Sequence, residues 1–270
     1  MSVSIDQAFA LARQEGRSAF IPFMTGGFPS PEACREIVLA LDGCGADVIE
    51  LGIPFSDPLA DGPVIQASSK QALDQGVTPA SVLALAAELS PRLKAALVVM
   101  TYYNPVLRMG LQRFAASASQ AGVSGVIVPD LPPEEAGPWL EAARGAGLDT
   151  IFMAAPTTPP ERLEVIRECC RGFLYYVSMT GVTGAGLNVD QELARGVARV
   201  RQGSSLPVAV GFGVAEAAQA RALAGLADGV IVGSALVKRA QQAAGPGQAA
   251  EAVGALAREL AQGLAQGPSV

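Results

Sequence analysis

The chain has 270 residues, with 19 basic and 25 acidic side chains and a net charge of −6. This length suits one large core over residues 1–270, and the acidic balance disfavours a nucleic-acid surface. No run approaches the ~20 apolar residues of a membrane helix. The N-terminus also lacks the basic-then-apolar pattern of a signal peptide, so the sequence predicts a cytoplasmic protein.

Histidine is absent from the chain. Ser-His-Asp hydrolysis, Cys-His proteolysis and His-ligated zinc are therefore excluded. If the chain is an enzyme, proton transfer must come from Asp, Glu or Tyr.

Lysine and cysteine offer no alternative chemistry. Lys70, Lys94 and Lys238 lie in helical patterns instead of at strand ends, which disfavours a Schiff-base aldolase. The cysteines match no metal-ligand spacing and are interpreted as free, mostly buried thiols: Cys34, Cys44, Cys169 and Cys170.

Ser4 is a suitable N-cap for a first helix that ends near Gly16. Its apolar residues are expected to share one face: Ile5, Ala8, Phe9, Leu11 and Ala12. From Ala19 onward, short apolar runs alternate with amphipathic stretches. The predicted strands are 19–24, 47–51, 96–101, 125–128, 149–153, 173–178, 207–210 and 229–232. The predicted helices between them are 31–41, 64–75, 109–121, 133–146, 160–170, 189–201, 215–226 and 235–244, with extra helices at 79–89 and 249–265.

Eight βα units predict an α/β fold, a single (βα)8 TIM barrel with an extra N-terminal helix and further extra helices. An open doubly wound sheet would give the same alternation. The barrel is favoured because no Gly-rich dinucleotide fingerprint follows the first strand, and because polar and Gly-rich residues consistently follow the strands.

Glu50 is a charged residue among the apolar residues of the second predicted strand. A buried carboxyl group costs free energy unless it has a partner or a use. Facing the barrel mouth, it would have a raised pKa and could exchange a proton near neutrality. The alternative is a buried structural ion pair, and the direction in which Glu50 faces is left open by the sequence.

Asp61 lies in the stiff, proline-rich loop that follows this strand. Between Ala60 and Gly62, its carboxylate could accept a hydrogen bond from a substrate N–H. The alternative is that Asp61 caps the helix ahead of Val64.

Glycines follow the last three predicted strands, in the loop 179–188, at Gly211-Phe212-Gly213 and at Gly233-Ser234. Backbone N–H groups and helix starts at these points predict a phosphate site, the alternative being tight turns only. The loop 179–188 is long and carries three glycines, which predicts a lid or else a plain surface loop. Tyr175 either lines the site or packs in the core.

The residues ELGIPFSDP at 50–58, ADGP at 60–63 and IQ at 65–66 closely resemble the signature of the tryptophan synthase alpha subunit family. Further similar stretches, in the same order, are 103–105, 129–132, 181–184, 211–213 and 233–234. The resemblance covers nearly the whole chain. It implies a (βα)8 barrel that splits indole-3-glycerol phosphate into indole and glyceraldehyde 3-phosphate.

The resemblance also implies roles for individual residues. Glu50 would protonate indole C3 and take the glycerol hydroxyl proton, and Asp61 would hold the indole N–H. The implied substrate-binding residues are Phe23, Met100, Tyr175, Thr183, Gly184, Phe212, Gly213, Gly233 and Ser234. The first three would line the indole pocket, and Gly184, Gly213, Gly233 and Ser234 would hold the phosphate.

The family works with a beta subunit that carries pyridoxal phosphate and receives indole through a tunnel. The resemblance therefore implies an alpha2beta2 assembly and no cofactor in this chain, with the Asp57 loop and the Asn104 region facing the partner. One departure is Met179-Thr180, where better-known members carry Arg-Ser, which puts the contact made by that arginine in doubt. The alternatives are another phosphate-binding barrel isomerase or synthase, and a weakly active scaffold that activates a beta subunit.

Overall fold

The computed structural model describes residues 3–177, 191–211 and 213–266. Its strands are β1 (Ala19–Thr25), β2 (Val48–Gly52), β3 (Ala96–Met100), β4 (Gly125–Ile127), β5 (Asp149–Ile151), β6 (Met153–Ala154), β7 (Leu174–Val177), β8 (Val208–Gly211) and β9 (Gly229–Val232). They pair in parallel in the order β5-β4-β3-β2-β1-β9-β8-β7-β6. Only Phe152 separates β5 from β6, so this order closes into a barrel. The predicted barrel is confirmed.

Helices surround the barrel. They are α1 (Ile5–Gln14), α2 (Pro31–Gly43), α3 (Pro63–Asp74), α4 (Pro79–Leu89), α5 (Tyr103–Met109), α6 (Leu111–Gln120), α7 (Gly137–Gly145), α8 (Pro160–Cys169), α9 (Gln191–Arg201), α10 (Ala217–Leu223), α11 (Ser234–Gln241) and α12 (Pro246–Ala265). Short 3-10 turns occur at Ser90–Arg92 and Pro133–Glu135. The predicted extra helices are α1, α4 and α12. In the part of the chain that is described, no helix has the length and apolar character to cross a membrane.

Residues of the strands alternate between two buried clusters. Those facing the helices include Ile49, Leu51, Leu97 and Val99. Those facing the barrel interior include Val48, Ala96, Val98, Phe173 and Ile231. Because side chains alternate in a strand, the parity of Val48 also turns Glu50 inward. Coverage of both faces explains why the strands read as continuous apolar runs.

Helix α1 closes the bottom of the barrel, at the N-terminal ends of the strands. Its Phe9 ring lies 5.6 Å from that of Phe173, and Ser4 forms a capping box with Gln7. The expectation that Leu11 shares the buried face is wrong, since Leu11 is 52% exposed. Successive side chains turn by ~100° around a helix, which carries Leu11 beyond the edge of the apolar stripe.

Two predicted helices are divided in the structure. The helix predicted at 109–121 is preceded by α5, and Gly110, with a φ of 88°, separates α5 from α6. The helix predicted at 133–146 is broken into a 3-10 turn and α7. Pro138 explains the second break, because its ring has no N–H and conflicts with the carbonyl four residues earlier in a continuous helix.

The fifth predicted strand is interrupted at Phe152. The backbone N–H of Phe152 donates to the Cys170 sulfur over 3.4 Å instead of to a neighbouring strand. The cysteines are free thiols, with Cys34 and Cys170 buried and Cys44 and Cys169 half-buried. Among the described residues, no cluster of carboxylates and thiols could hold a metal ion.

Candidate active site

A pocket opens at the C-terminal ends of the strands, with about 690 Å³ of empty space out to its mouth. This end of a parallel barrel is where such folds hold small-molecule sites. Eight of the residues singled out in the sequence line this pocket: Phe23, Glu50, Asp61, Met100, Tyr175, Gly213, Gly233 and Ser234. Thr183, Gly184, Phe212 and the loop 179–188 lie outside the described residues.

The register of the barrel brings the lining residues of the first strands together. Phe23 of β1 pairs with Glu50 of β2, and Gly52 pairs with Met100 of β3. A Cβ atom at Gly52 would lie 2.7 Å from the Phe23 ring. Glycine at this position therefore lets the ring lie across the end of β2, beside Glu50.

Glu50 is 1% exposed and faces the pocket. Its Oε2 atom has no hydrogen-bond partner among the described residues, so the alternative of a buried ion pair finds no support there. Burial, and next the negative charge of Asp61, raise the pKa of Glu50 to about 8. Glu50 is thus mostly a neutral acid at pH 7 and has a proton to give.

Asp61 occupies the loop between β2 and α3. Its backbone N–H donates to the Pro58 carbonyl over 3.0 Å, and its own carbonyl accepts from Gln66 Nε2 over 2.8 Å. Helix α3 has Gly62 as its N-cap, without a side-chain cap, so the alternative of Asp61 as the cap is wrong. The Asp61 side chain is left for the pocket.

The environments of the two carboxyl groups separate their protonation states. Burial raises the pKa of Asp61 to about 6, and a hydrogen bond with Tyr102 works against that rise. Near pH 7, Asp61 is mostly an anion while Glu50 keeps its proton. One pocket therefore holds an acid and a fixed negative charge, which is the usual sign of divided acid-base roles.

Tyr175 both lines the pocket and belongs to the barrel core. It is 6% exposed, and its ring lies 6.4 Å from that of Phe173. A Cβ atom at Gly211 would lie 2.5 Å from the Tyr175 hydroxyl oxygen. Glycine as the last residue of β8 thus makes room for the tyrosine ring.

Gly213, Gly233 and Ser234 line the pocket after β8 and β9. Gly213 has a φ of 82°, a conformation that favours glycine. Ser234 is the first residue of α11, so this helix begins at the pocket. The free N–H groups of a first helical turn suit an anion.

The sequence assigned no binding role to the remaining lining residues. Four of them lie in the stretches that carry the resemblance, namely Ala60, Gly62, Ile65 and Pro129, and the others are Met153, Val214 and Ile231. A signal for two of them was present. Met153 is two positions beyond the inward-facing Ile151, and Pro129 directly follows a predicted strand. Side-chain parity at strand ends would have found them.

Comparison with known proteins supports one family. The family model described as tryptophan synthase alpha chain matches residues 9–265. Tryptophan synthase alpha chains from Synechococcus elongatus and Burkholderia cenocepacia are 46% and 49% identical to this chain, over 98% and 91% of both chains.

Solved structures agree with this match. Mycobacterium tuberculosis tryptophan synthase has a TM-score of 0.90 at 41% identity, over 98% of this chain and 99% of that one. Tryptophan synthase subunit alpha from Legionella pneumophila has a TM-score of 0.90 at 35% identity, over 98% of each chain. With the barrel and the carboxyl-lined pocket in place, these matches show that the chain belongs to the tryptophan synthase alpha chain family.

Proposed function

We propose that this chain cleaves indole-3-glycerol phosphate to indole and glyceraldehyde 3-phosphate in the pocket at the barrel mouth. It is then a carbon–carbon lyase of tryptophan biosynthesis. The observation that carries the proposal is the pair formed by a buried, protonated Glu50 and an ionised Asp61 in a largely apolar pocket.

Glu50 acts first as an acid and then as a base. It gives its proton to indole C3, which turns the ring into a cation with its charge on nitrogen. The Glu50 carboxylate then removes the proton of the glycerol hydroxyl next to the ring. The bond from C3 to that carbon breaks, its electrons restore the indole ring, and the hydroxyl carbon becomes the aldehyde. Glu50 ends the cycle protonated again.

Asp61 stabilises the cation formed midway through the reaction. Its carboxylate accepts a hydrogen bond from the indole N–H, and this contact strengthens as positive charge develops on the ring. Its pKa of about 6 keeps it charged at neutral pH. The protonated indole serves as the electron sink, so the step proceeds without a Schiff base.

The remaining lining residues bind the two ends of the substrate. Phe23, Met100 and Tyr175 supply apolar surface for the indole ring. Gly213, Gly233 and Ser234, at the start of α11, hold the phosphate through backbone N–H groups and the serine hydroxyl. Thr183, Gly184 and Phe212 complete the proposed set.

Members of this family act in complex with a beta chain that carries pyridoxal phosphate, and need no cofactor of their own. We propose an alpha2beta2 assembly in which the Asp57 loop and the Asn104 region face the partner. Exposed leucines support this surface, because Leu59 and Leu107 are 93% and 48% exposed on these two segments. The cytoplasmic location and the single domain over residues 1–270 stay predictions.

The test is indole release from indole-3-glycerol phosphate by the purified chain, with and without a beta subunit. Release by the chain alone, accelerated by the partner, is expected. Release only with the partner, and none from the chain, would favour a scaffold. Turnover of the substrate without indole would favour another barrel isomerase or synthase. No turnover under either condition contradicts the proposal.

A further inference from the structure

Tyr102 joins the end of β3 to the loop that carries Asp61. Its side chain is buried, with the residue 3% exposed. The hydroxyl oxygen accepts the backbone N–H of Ala60 over 3.0 Å, which places it beside the next residue, Asp61. Its interaction with the Asp61 side chain opposes the rise in the pKa of that group. Since the Ala60 N–H uses an oxygen lone pair, the hydroxyl proton is free to be donated to the carboxylate.

The ring of the same residue contacts the beginning of that loop. It stacks on Phe55 with 5.4 Å between ring centroids and an angle of 29°. Phe55 belongs to the segment proposed to face the partner chain. One tyrosine therefore touches both the partner side and the substrate side of the loop.

The backbone around Tyr102 is held by the barrel wall. The Thr101 N–H donates to the Ile127 carbonyl over 3.0 Å, and the Tyr103 N–H donates to the Asp130 carboxylate over 2.8 Å. Within the Asp61 loop, by contrast, bonds such as that from Leu59 to Asp57 are local. Tyr102 thus ties a loop with few outside contacts to a rigid support.

We propose that Tyr102 is a positioning residue for the cleavage reaction, with its hydroxyl orienting the Asp61 carboxylate toward the substrate N–H. This inference rests on the proposed function. A hydrogen-bond donor on one oxygen of the Asp61 carboxylate fixes the orientation of that group. The other oxygen is left to accept the indole N–H.

The hydroxyl also has an electrostatic consequence. Its hydrogen bond favours the charged form of Asp61 and opposes the rise in pKa caused by burial. The other titratable groups facing this region are Glu50 from β2, Tyr175 from β7 and Asp130 after β4. None of these groups carries a positive charge. Loss of the tyrosine hydroxyl therefore makes the Asp61 carboxylate easier to protonate.

The test is Tyr102→Phe, which removes the hydroxyl and keeps the ring on Phe55. We expect kcat for indole release to fall about tenfold at pH 7 with KM nearly unchanged. The acid limb of the pH profile of kcat should shift to higher pH by about 0.5–1 unit, because Asp61 then ionises at higher pH. Tyr103→Phe is the matched control, since the Tyr103 hydroxyl has no hydrogen bond among the described residues, and its profile should match the wild type.

An Asp61→Asn background provides a second measurement. If Tyr102 acts through Asp61, Tyr102→Phe should change kcat less than about twofold there, because coupled residues are not additive. A tenfold loss in that background, or an unshifted acid limb in the single variant, overturns the inference. So does a Tyr102→Phe chain that unfolds, since the hydroxyl would then serve stability. An inactive wild type, by contrast, would refute the proposed function itself.

Discussion

Two buried carboxyl groups lie three residues apart, one directly before β2 and one in its middle, and their surroundings differ completely. Asp47, at the bottom of the barrel, is 7% exposed, and Glu50, at the mouth, is 1% exposed. The Asp47 carboxylate accepts two bonds from Arg17, over 2.6 and 2.9 Å, and a third from the Phe20 N–H over 2.8 Å. Glu50 Oε2 has no partner among the described residues.

The difference separates a structural charge from a chemical one. Asp47 is paired with Arg17, in the turn after α1, and with the Phe20 N–H of β1, so it joins the start of β2 to both. Glu50 has no compensating partner in the described part of the chain, so burial raises its pKa and it keeps a proton near neutral pH. Burial is common to both groups, and the absence of a partner among the described residues distinguishes Glu50, the group proposed to transfer a proton.

The largest expected effect is on catalysis by Glu50→Gln. The amide has no proton to transfer, so kcat should fall by about 10³–10⁴ while affinity for the substrate changes less than about threefold. Asp47→Asn is the matched control and should keep kcat within about twofold at a temperature at which it is folded. Steady-state indole release and calorimetric binding measure both, and wild-type turnover by Glu50→Gln would refute its role.

The next effect concerns stability at the start of β2. Asp47→Asn leaves Arg17 without its buried anion, and we expect the free energy of unfolding to drop by about 3 kcal/mol. Urea denaturation at pH 7 measures the change. A loss under about 1 kcal/mol would mean that the Asp47 pair contributes no more than a surface ion pair.

A smaller effect follows from the protonation of Glu50. In the folded chain the pKa of Glu50 is about 8, above the ordinary value of 4.5. The contribution of the neutral acid to the free energy of unfolding is therefore complete below about pH 4.5 and is lost as the pH rises through 8. The amide introduced by Glu50→Gln does not titrate. Relative to the wild type, this variant should gain about 2.5 kcal/mol of stability between pH 5 and pH 7. Urea denaturation at both pH values measures this, and a difference independent of pH would contradict it.

The barrel could be predicted from sequence because the residue patterns that specify its strands and helices are local and repeat along the chain. Each strand is a short apolar run and each helix an amphipathic stretch, so strand ends, and with them Glu50 and Gly233, were assigned to the mouth. Helix α5 was missed because Tyr103-Asn104-Pro105 resembles a loop. Its start is fixed by a bond from the Tyr103 N–H to Asp130, 27 residues away, which no local pattern contains.

Eight residues named from the sequence line the pocket, but their electrostatics could not be predicted. The sequence left open whether Glu50 faces inward, since that depends on strand register. The link from Tyr102 to Asp61 also has no signature, because it joins two loops through a side chain that occurs in many cores. Long-range contacts of this kind decide the protonation states, and they come only with the fold.

The central claim is that Glu50 holds a proton near neutral pH because it is buried with no partner among residues 3–177, 191–211 and 213–266, and titration tests it most directly. Carbon-13 labelling of glutamate carboxyl groups allows each to be followed by NMR in the wild type and in Glu50→Gln. One wild-type resonance should titrate near pH 8 and be missing from the variant. Titration of every glutamate below about pH 5.5, within the ordinary range of exposed carboxyl groups, would contradict the account.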